Sequence, residues 1–141
     1  MIAPDAQIRE ILQNTKVIAM VGASMNPARP SYGVMQFLLG KGLRVIPVNP
    51  GHAGEMLQGA RVYATLKDIP KDFAVDMVDV FRASDAVPPI VEQALADLPQ
   101  LRTIWLQLGV TYAAGPGLAR AHDVAWVENR CPKIEWARLG L

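Results

Sequence analysis

The sequence predicts an α/β fold: a doubly wound, mainly parallel sheet of five to six strands with helices on both faces. Three observations carry this expectation. Short continuous apolar runs, such as residues 16–21 and 43–48, have the composition of strands covered on both sides. Segments with helical spacing of apolar residues separate these runs. The two kinds of segment alternate along nearly the whole chain, and right-handed parallel crossovers are the commonest way to connect such units.

Residues 5–14 carry Ile8, Ile11 and Leu12 at helical spacing, with Asp5 after Pro4 as a cap, which predicts a leading helix. Residues 16–21 are apolar after Lys16 and stop at Gly22, as a buried strand does. Glycine, serine, asparagine and two prolines make residues 22–30 a loop. Ser31 is a good N-cap for a helix over residues 32–41 that closes at Gly42. A second strand covers residues 43–48 and ends in the turn residues Asn49, Pro50 and Gly51. Residues 52–59 show no regular pattern, whereas 61–63 predict a short third strand, 66–69 a helical turn and 74–80 a fourth strand. Pro88 and Pro89 suit only a first helical turn, so a helix is expected over residues 89–98. A fifth strand follows at 103–108, then a helix at 112–122 in spite of Gly115, Pro116 and Gly117, and a short final strand at 124–127. No repeat, low-complexity tract or linker breaks this order, so one domain over residues 1–141 is expected.

Composition narrows the function classes. With 51% hydrophobic and 19% charged residues, the chain has the balance of a globular domain. A net charge of +1 lacks the basic excess of a nucleic-acid-binding protein. The one cysteine, Cys131, excludes an internal disulfide, and His52 and His122 stand too far apart for a recognised metal-ligand pattern. The N-terminus lacks the basic start and apolar run of a signal peptide, and no segment approaches the roughly 20 apolar residues of a membrane span. The cytoplasm is therefore the expected compartment.

In doubly wound sheets, ligands bind beyond the carboxyl ends of the strands, where the strand order reverses. Small and polar residues gather at these positions: Gly22, Ala23 and Ser24, then Asn49, Pro50 and Gly51 after Val48, then Phe81 and Arg82, Gly109 and Val110, and finally Asn129, Arg130 and Cys131. Gly22 permits a tight turn, Ala23 and Ser24 keep the side chains small, and the N–H groups that open the Ser31 helix can receive a phosphate. Ser24, Arg29 and Ser31 can add donors. The same residues also suit a plain turn and a plain helix cap, because the Gly-x-Gly-x-x-Gly fingerprint is absent. A nicotinamide dinucleotide site places Asp or Glu at the end of the second strand, where this chain has Asn49. Asn49 can bond a sugar or simply end a strand.

Longer stretches carry a resemblance. Residues 21–24, 26–27 and 29–34, with Val45-Ile46-Pro47-Val48-Asn49-Pro50, resemble the small stand-alone CoA-binding proteins of bacteria and archaea, a Rossmann-like family. Residues 62–66, 68–70, 76–82, 105–110 and 129–135 extend it in order through nearly the whole chain. That family is similar in turn to the CoA-binding domain of the succinyl-CoA synthetase alpha subunit. The resemblance implies coenzyme A as ligand, with Gly22, Ala23, Ser24, Arg29 and Ser31 around the diphosphate and Asn49 and Pro50 along the adenosine. It further implies that Phe81, Arg82 and Gln107 to Gly109 line the groove, with Asn129 and Cys131 towards the pantetheine end.

His52 departs from the synthetase pattern, which carries a lysine there, and Arg82 can compensate because its guanidinium binds phosphate bidentately. Cys131 can approach the thiol end of the ligand or be an inert core residue. Trp105, Trp126 and Trp136 read as packing residues. No nucleophile, base and orienting group can be assembled from the sequence, so the leading expectation is a module that holds CoA or an acyl-CoA without chemistry of its own. An NAD(P)-dependent oxidoreductase with an altered fingerprint and a CoA-binding subunit of a separately encoded ligase are the alternatives. A homo-oligomer is compatible with either.

Overall fold

The structure, a computed structural model, describes residues 3–141. In chain order its elements are α1 (Asp5–Asn14), β1 (Val17–Val21), α2 (Pro30–Gly40), β2 (Arg44–Val48), β3 (Met56–Leu57) and β4 (Ala60–Arg61). They continue with β5 (Met77–Val80), α3 (Val87–Asp97), β6 (Thr103–Leu106), α4 (Gly115–Ala121), β7 (Ala125–Val127) and α5 (Pro132–Arg138). The main sheet has five strands in the order β2-β1-β5-β6-β7, and every neighbouring pair is parallel. From β1 the chain steps outward to β2, then returns to lay β5, β6 and β7 on the other side. The strand order therefore reverses between β1 and β5, which opens a crevice at their carboxyl ends.

Helices cover both faces of the sheet, which is why its strands read as unbroken apolar runs. Ile18, Met20, Val45, Met77, Trp105 and Val127 pack with α1 and α2. Ala19, Val21, Ile46, Val78, Val80 and Ile104 pack with α3 and α4. Trp105 is fully buried and its indole N–H donates to the Arg130 carbonyl at 2.8 Å; Trp136 meets Phe37 edge-on at 6.1 Å. The tryptophans thus serve packing, as expected. The Trp126 ring lies so close over Gly115 that a Cβ there would fall 2.1 Å from it.

Several expected boundaries shift for identifiable reasons. Ser31 is not the cap of α2: Pro30 starts the helix, with Arg29 at the cap, because its fixed φ suits the first helical position. Ser31 sits buried in the first turn, where its hydroxyl accepts the Ser24 N–H at 2.9 Å. The third strand expected at 61–63 does not join the sheet. Ala60 and Arg61 pair antiparallel with β3, and Tyr63 makes a single parallel bridge to Val48. The β3–β4 turn has positive φ at both Gln58 (49°) and Gly59 (83°), the backbone of a type I′ hairpin without its usual Asn-Gly sequence. The helix expected over 112–122 is confined to α4, since Pro116 in its first turn prevents an upstream continuation.

The short helix α5 is an element the sequence pattern did not reveal. Pro132 opens it, and an ion-pair network fastens it down. Glu135 is buried and accepts from Arg130 at 2.8 Å and from Arg138 at 2.8 Å; Arg138 also reaches Asp5 at 2.8 Å. The hydrogen bond from Arg138 holds the Asp5 carboxyl below its ordinary range. This contact ties α5 to α1. Among the described residues, no helix is long and apolar enough to cross a membrane.

Candidate functional site

Beyond the carboxyl ends of β1, β2, β5 and β6 lies a cleft of ≈ 900 Å³, within the size range of small-molecule sites. Its geometry begins with Gly22. This residue ends β1 at φ +85°, and a Cβ on it would lie 2.7 Å from the Phe81 carbonyl oxygen and 3.0 Å from the Arg82 Cδ. Only glycine allows the first loop to turn left-handed and lie against the chain leaving β5. The stem of Arg82 consequently crosses the mouth of this turn.

The loop that follows is held from three sides. The Gly22 and Ala23 N–H groups donate to the Val48 carbonyl at 2.9 and 3.3 Å. Ser24 donates its N–H to the Ser31 hydroxyl, while its own hydroxyl accepts the Asn26 N–H at 3.0 Å. Asn26 in turn accepts from the Ala28 N–H at 3.0 Å and, through its carbonyl, from the Arg29 N–H at 3.0 Å. The first N–H groups of the loop are thus committed within the protein. In the opening turn of α2, Pro30 has no N–H and the Tyr32 N–H donates to the Arg29 carbonyl at 3.1 Å, so the donors left for a ligand are the Ser31 N–H and the side chains of Ser24, Arg29 and Arg82.

Asn49 closes the second wall. Its amide donates to the Ala23 carbonyl at 2.8 Å, and its oxygen accepts the Gly51 N–H at 2.9 Å, which shapes the turn after β2. His52 borders the same wall and pairs with Glu55 at 2.8 Å. On the third side, Val110 donates its N–H to the Gln107 carbonyl at 2.9 Å, and Gly109, at φ +80°, donates to the Asn129 side chain at 2.7 Å. Leu108 projects from this turn with 55% of its surface exposed and gives the mouth an apolar rim.

Ten of the residues expected from sequence line the cleft: Gly22, Ser24, Arg29, Ser31, Asn49, Pro50, Phe81, Arg82, Gln107 and Gly109. Ala23 and Val48 are buried beneath it and contribute through their backbones. Asn129 stands behind Gly109, outside the lining, with positive φ of 57°. Cys131 is buried away from the cleft and lines a separate apolar groove with Val34, Phe37 and Ile134. Leu108, within the expected Gln107 to Gly109 segment, lines it too, with Pro30, Gly51, His52 and Val110, whereas Met25 and Ala83 are lining residues that nothing in the sequence pattern singles out.

The cleft is electropositive against a nearly neutral chain. Among its described lining residues are two arginines, Arg29 and Arg82, and no carboxylate, whereas the whole chain carries +1. The open first turn of α2, which contains no acidic residue, adds the positive end of a helix dipole. Beneath the cleft, Asp79 on β5 is fully buried, and neither of its carboxylate oxygens meets a partner among the described residues. Burial pushes its pKa well above the carboxylate range. The side-chain oxygen of Gln107, also buried, is likewise without a partner among the described residues. No group of three or more His, Cys, Asp or Glu side chains among the described residues is placed to hold a metal.

Comparison with known proteins gives this site a setting. The chain is 41% identical over 133 residues to the uncharacterized protein YneT of Bacillus subtilis (strain 168), covering 94% of this chain and 93% of YneT. A hypothetical protein from Pyrococcus horikoshii OT3 has the same architecture, with a TM-score of 0.88 at 34% identity; the match covers 99% of this chain and 94% of that one. A Thermus thermophilus protein matches with a TM-score of 0.88 at 34% identity, over 97% of this chain and 99% of the other. Residues 16–137, from the start of β1 into α5 and including every cleft wall, match the family described as the CoA binding domain, and to that family this chain belongs.

Proposed function

We propose that this chain binds coenzyme A, or an acyl-CoA, in the cleft above β1 and β5, and that it acts by holding that ligand. The observation that carries the reading is the family match over residues 16–137. The donor set of the cleft agrees with it in chemistry. Two guanidinium groups, serine hydroxyls and an open helix start favour phosphate oxygens.

In this reading Gly22, Ala23, Ser24, Arg29 and Ser31 surround the diphosphate, with Ala23 acting through its backbone. Asn49 and Pro50, supported by Val48, border the adenosine, and the amide of Asn49 positions the loop more than it reads the sugar. Phe81, Arg82 and the turn from Gln107 to Gly109 line the course of the pantetheine arm, and Asn129 holds that turn from behind by accepting the Gly109 N–H. The Arg82 guanidinium, its stem laid over Gly22, is the group best placed to clamp a phosphate bidentately.

Ser24→Leu tests the placement. The substitution removes one hydrogen bond, to Asn26, at a cost of about 1 kcal/mol, and puts a bulky apolar side chain where the diphosphate would lie. The folded variant is expected to lose the stabilisation of about 2.7 kcal/mol that CoA at 100 times its Kd gives the wild type. A stabilisation equal to the wild type's would remove the Gly22–Ser31 loop from the site.

A further inference from the structure

We propose that Asp79, buried under the cleft on β5, is a positioning residue for Gln107: its carboxyl group holds the Gln107 side-chain oxygen inward and so presents the Gln107 side-chain NH2 group to an oxygen of the bound ligand. The inference rests on the coenzyme A reading above and assigns to Gln107 a carbonyl oxygen of the pantetheine arm.

The two residues share one face of the sheet. Met77, Met20 and Trp105 pack with α1 and α2. Asp79 lies two residues after Met77 and in register with Met20 and Trp105, so the alternation along the strand puts its side chain on that same face. Gln107 lies two residues after Trp105 and carries the ladder past the end of β6 by donating its N–H to the Val80 carbonyl at 3.1 Å. It therefore stands diagonally above Asp79 on the cleft side, one strand across and two residues along, a separation of about 8 Å between Cβ atoms. An aspartate and a glutamine that reach towards each other span this distance with a hydrogen bond between them.

Both side chains carry oxygens in want of a partner. Neither Asp79 carboxylate oxygen nor the Gln107 side-chain oxygen meets one among the described residues, although Asp79 is fully buried and Gln107 is only 7% exposed. Buried polar groups are rarely left so, and an unpaired buried charge is costlier still. As an anion Asp79 has no donor to offer. Burial pushes its pKa well above the carboxylate range, so the carboxyl group keeps a proton that it can donate. A neutral acid and an amide oxygen thus supply what each other lacks. Thr103, the other polar residue diagonal to Asp79 on β6, lies towards the opposite end of the sheet, where it lines a small pocket with Asp76 and Arg102. Gln107 lines the cleft and Asp79 does not, so a ligand meets the amide and never the acid. With its oxygen tied inward, the planar amide turns its N–H groups outward, which favours an acceptor on the ligand at this point.

Titration calorimetry with CoA on the wild type, Asp79→Leu, Gln107→Met and the double variant tests the inference, with Asp79→Asn as the conservative change. One hydrogen bond is worth about two- to tenfold in affinity, so each of the first two substitutions is expected to weaken CoA by about that factor and the double variant by no more than either alone. Asp79→Asn keeps an N–H donor for the same oxygen and should bind CoA within about twofold of the wild type. Wild-type affinity in Asp79→Leu, losses that multiply in the double variant, or a loss in Asp79→Asn as large as in Asp79→Leu would overturn the positioning role. A readout without ligand keeps the pair separate from the parent reading. Gln107→Met should shift the Asp79 carboxyl carbon resonance in the NMR spectrum of the free protein, and an unmoved resonance would overturn the bond whatever the ligand. Absence of CoA binding by the wild type would overturn the coenzyme A reading, and with it the pantetheine contact.

Discussion

The side-chain amide of Asn49 donates to the Ala23 carbonyl at 2.8 Å, joining the end of β2 to the loop that leaves β1. The same side chain accepts the Gly51 N–H, so one residue fixes two walls of the cleft. Asn49→Asp replaces the donor with an oxygen that faces a carbonyl oxygen. The expected loss of stability is about 1–3 kcal/mol, measured by urea denaturation. CoA affinity should fall with it, because the loop is no longer held against β2. If Asn49→Asp instead created tight NAD binding, the residue would be reading a ribose and the positioning role would be wrong.

Gly22→Ala is expected to be more damaging than its size suggests. An alanine at φ +85° costs about 1–2 kcal/mol, and its Cβ at 2.7 Å from the Phe81 carbonyl forces β1 and β5 apart at their ends. Denaturation should show a loss of at least about 2 kcal/mol. A variant as stable as the wild type would mean that the two strand ends separate freely.

Asp79 should make the fold sensitive to pH in the direction opposite to most carboxylates. It is wholly buried opposite Met20 and Trp105, and burial raises its pKa well above the usual range. In the unfolded chain an aspartate titrates near ~3.9, so above that pH the folded state binds one proton more than the unfolded state. This group's contribution to stability is complete below the unfolded pKa and is lost as pH rises towards the folded one, with a limiting slope of about 1.4 kcal/mol per pH unit. Asp79→Asn cannot titrate. The stability difference between wild type and Asp79→Asn, followed upward from pH 4, is therefore expected to shift in favour of the variant until the folded protein's Asp79 ionises; a difference independent of pH would contradict the buried, protonated acid.

Much of this molecule is legible in its sequence because the strands are buried on both faces. Continuous runs such as Val-Ile-Ala-Met-Val at 17–21 mark them, and the residues just after them supplied eight members of the cleft, with Arg29 and Ser31 added from the start of α2. The β3–β4 hairpin escaped because Gln58 adopts a left-handed conformation usually marked by Asn or Asp. The helix α5 escaped because its seven residues give too few turns for a period, and its anchor, Glu135 between two arginines, depends on contacts remote in sequence. The burial of Cys131 away from the cleft follows from that same unseen helix. Ser31 reads as a helix cap in the sequence, but Pro30 takes the first helical position with Arg29 at the cap, and the Ser31 hydroxyl is left to hold Ser24.

The most direct test of coenzyme A as the ligand is a thermal-shift panel on the wild-type protein with CoA, acetyl-CoA, dephospho-CoA, NAD and NADP. Each ligand is supplied at increasing concentration so that the shift can be converted to affinity. CoA and acetyl-CoA are expected to raise Tm, corresponding to about 2.7 kcal/mol at 100 times Kd, while NAD and NADP leave it unchanged. A shift with NAD or NADP and none with CoA would contradict the account.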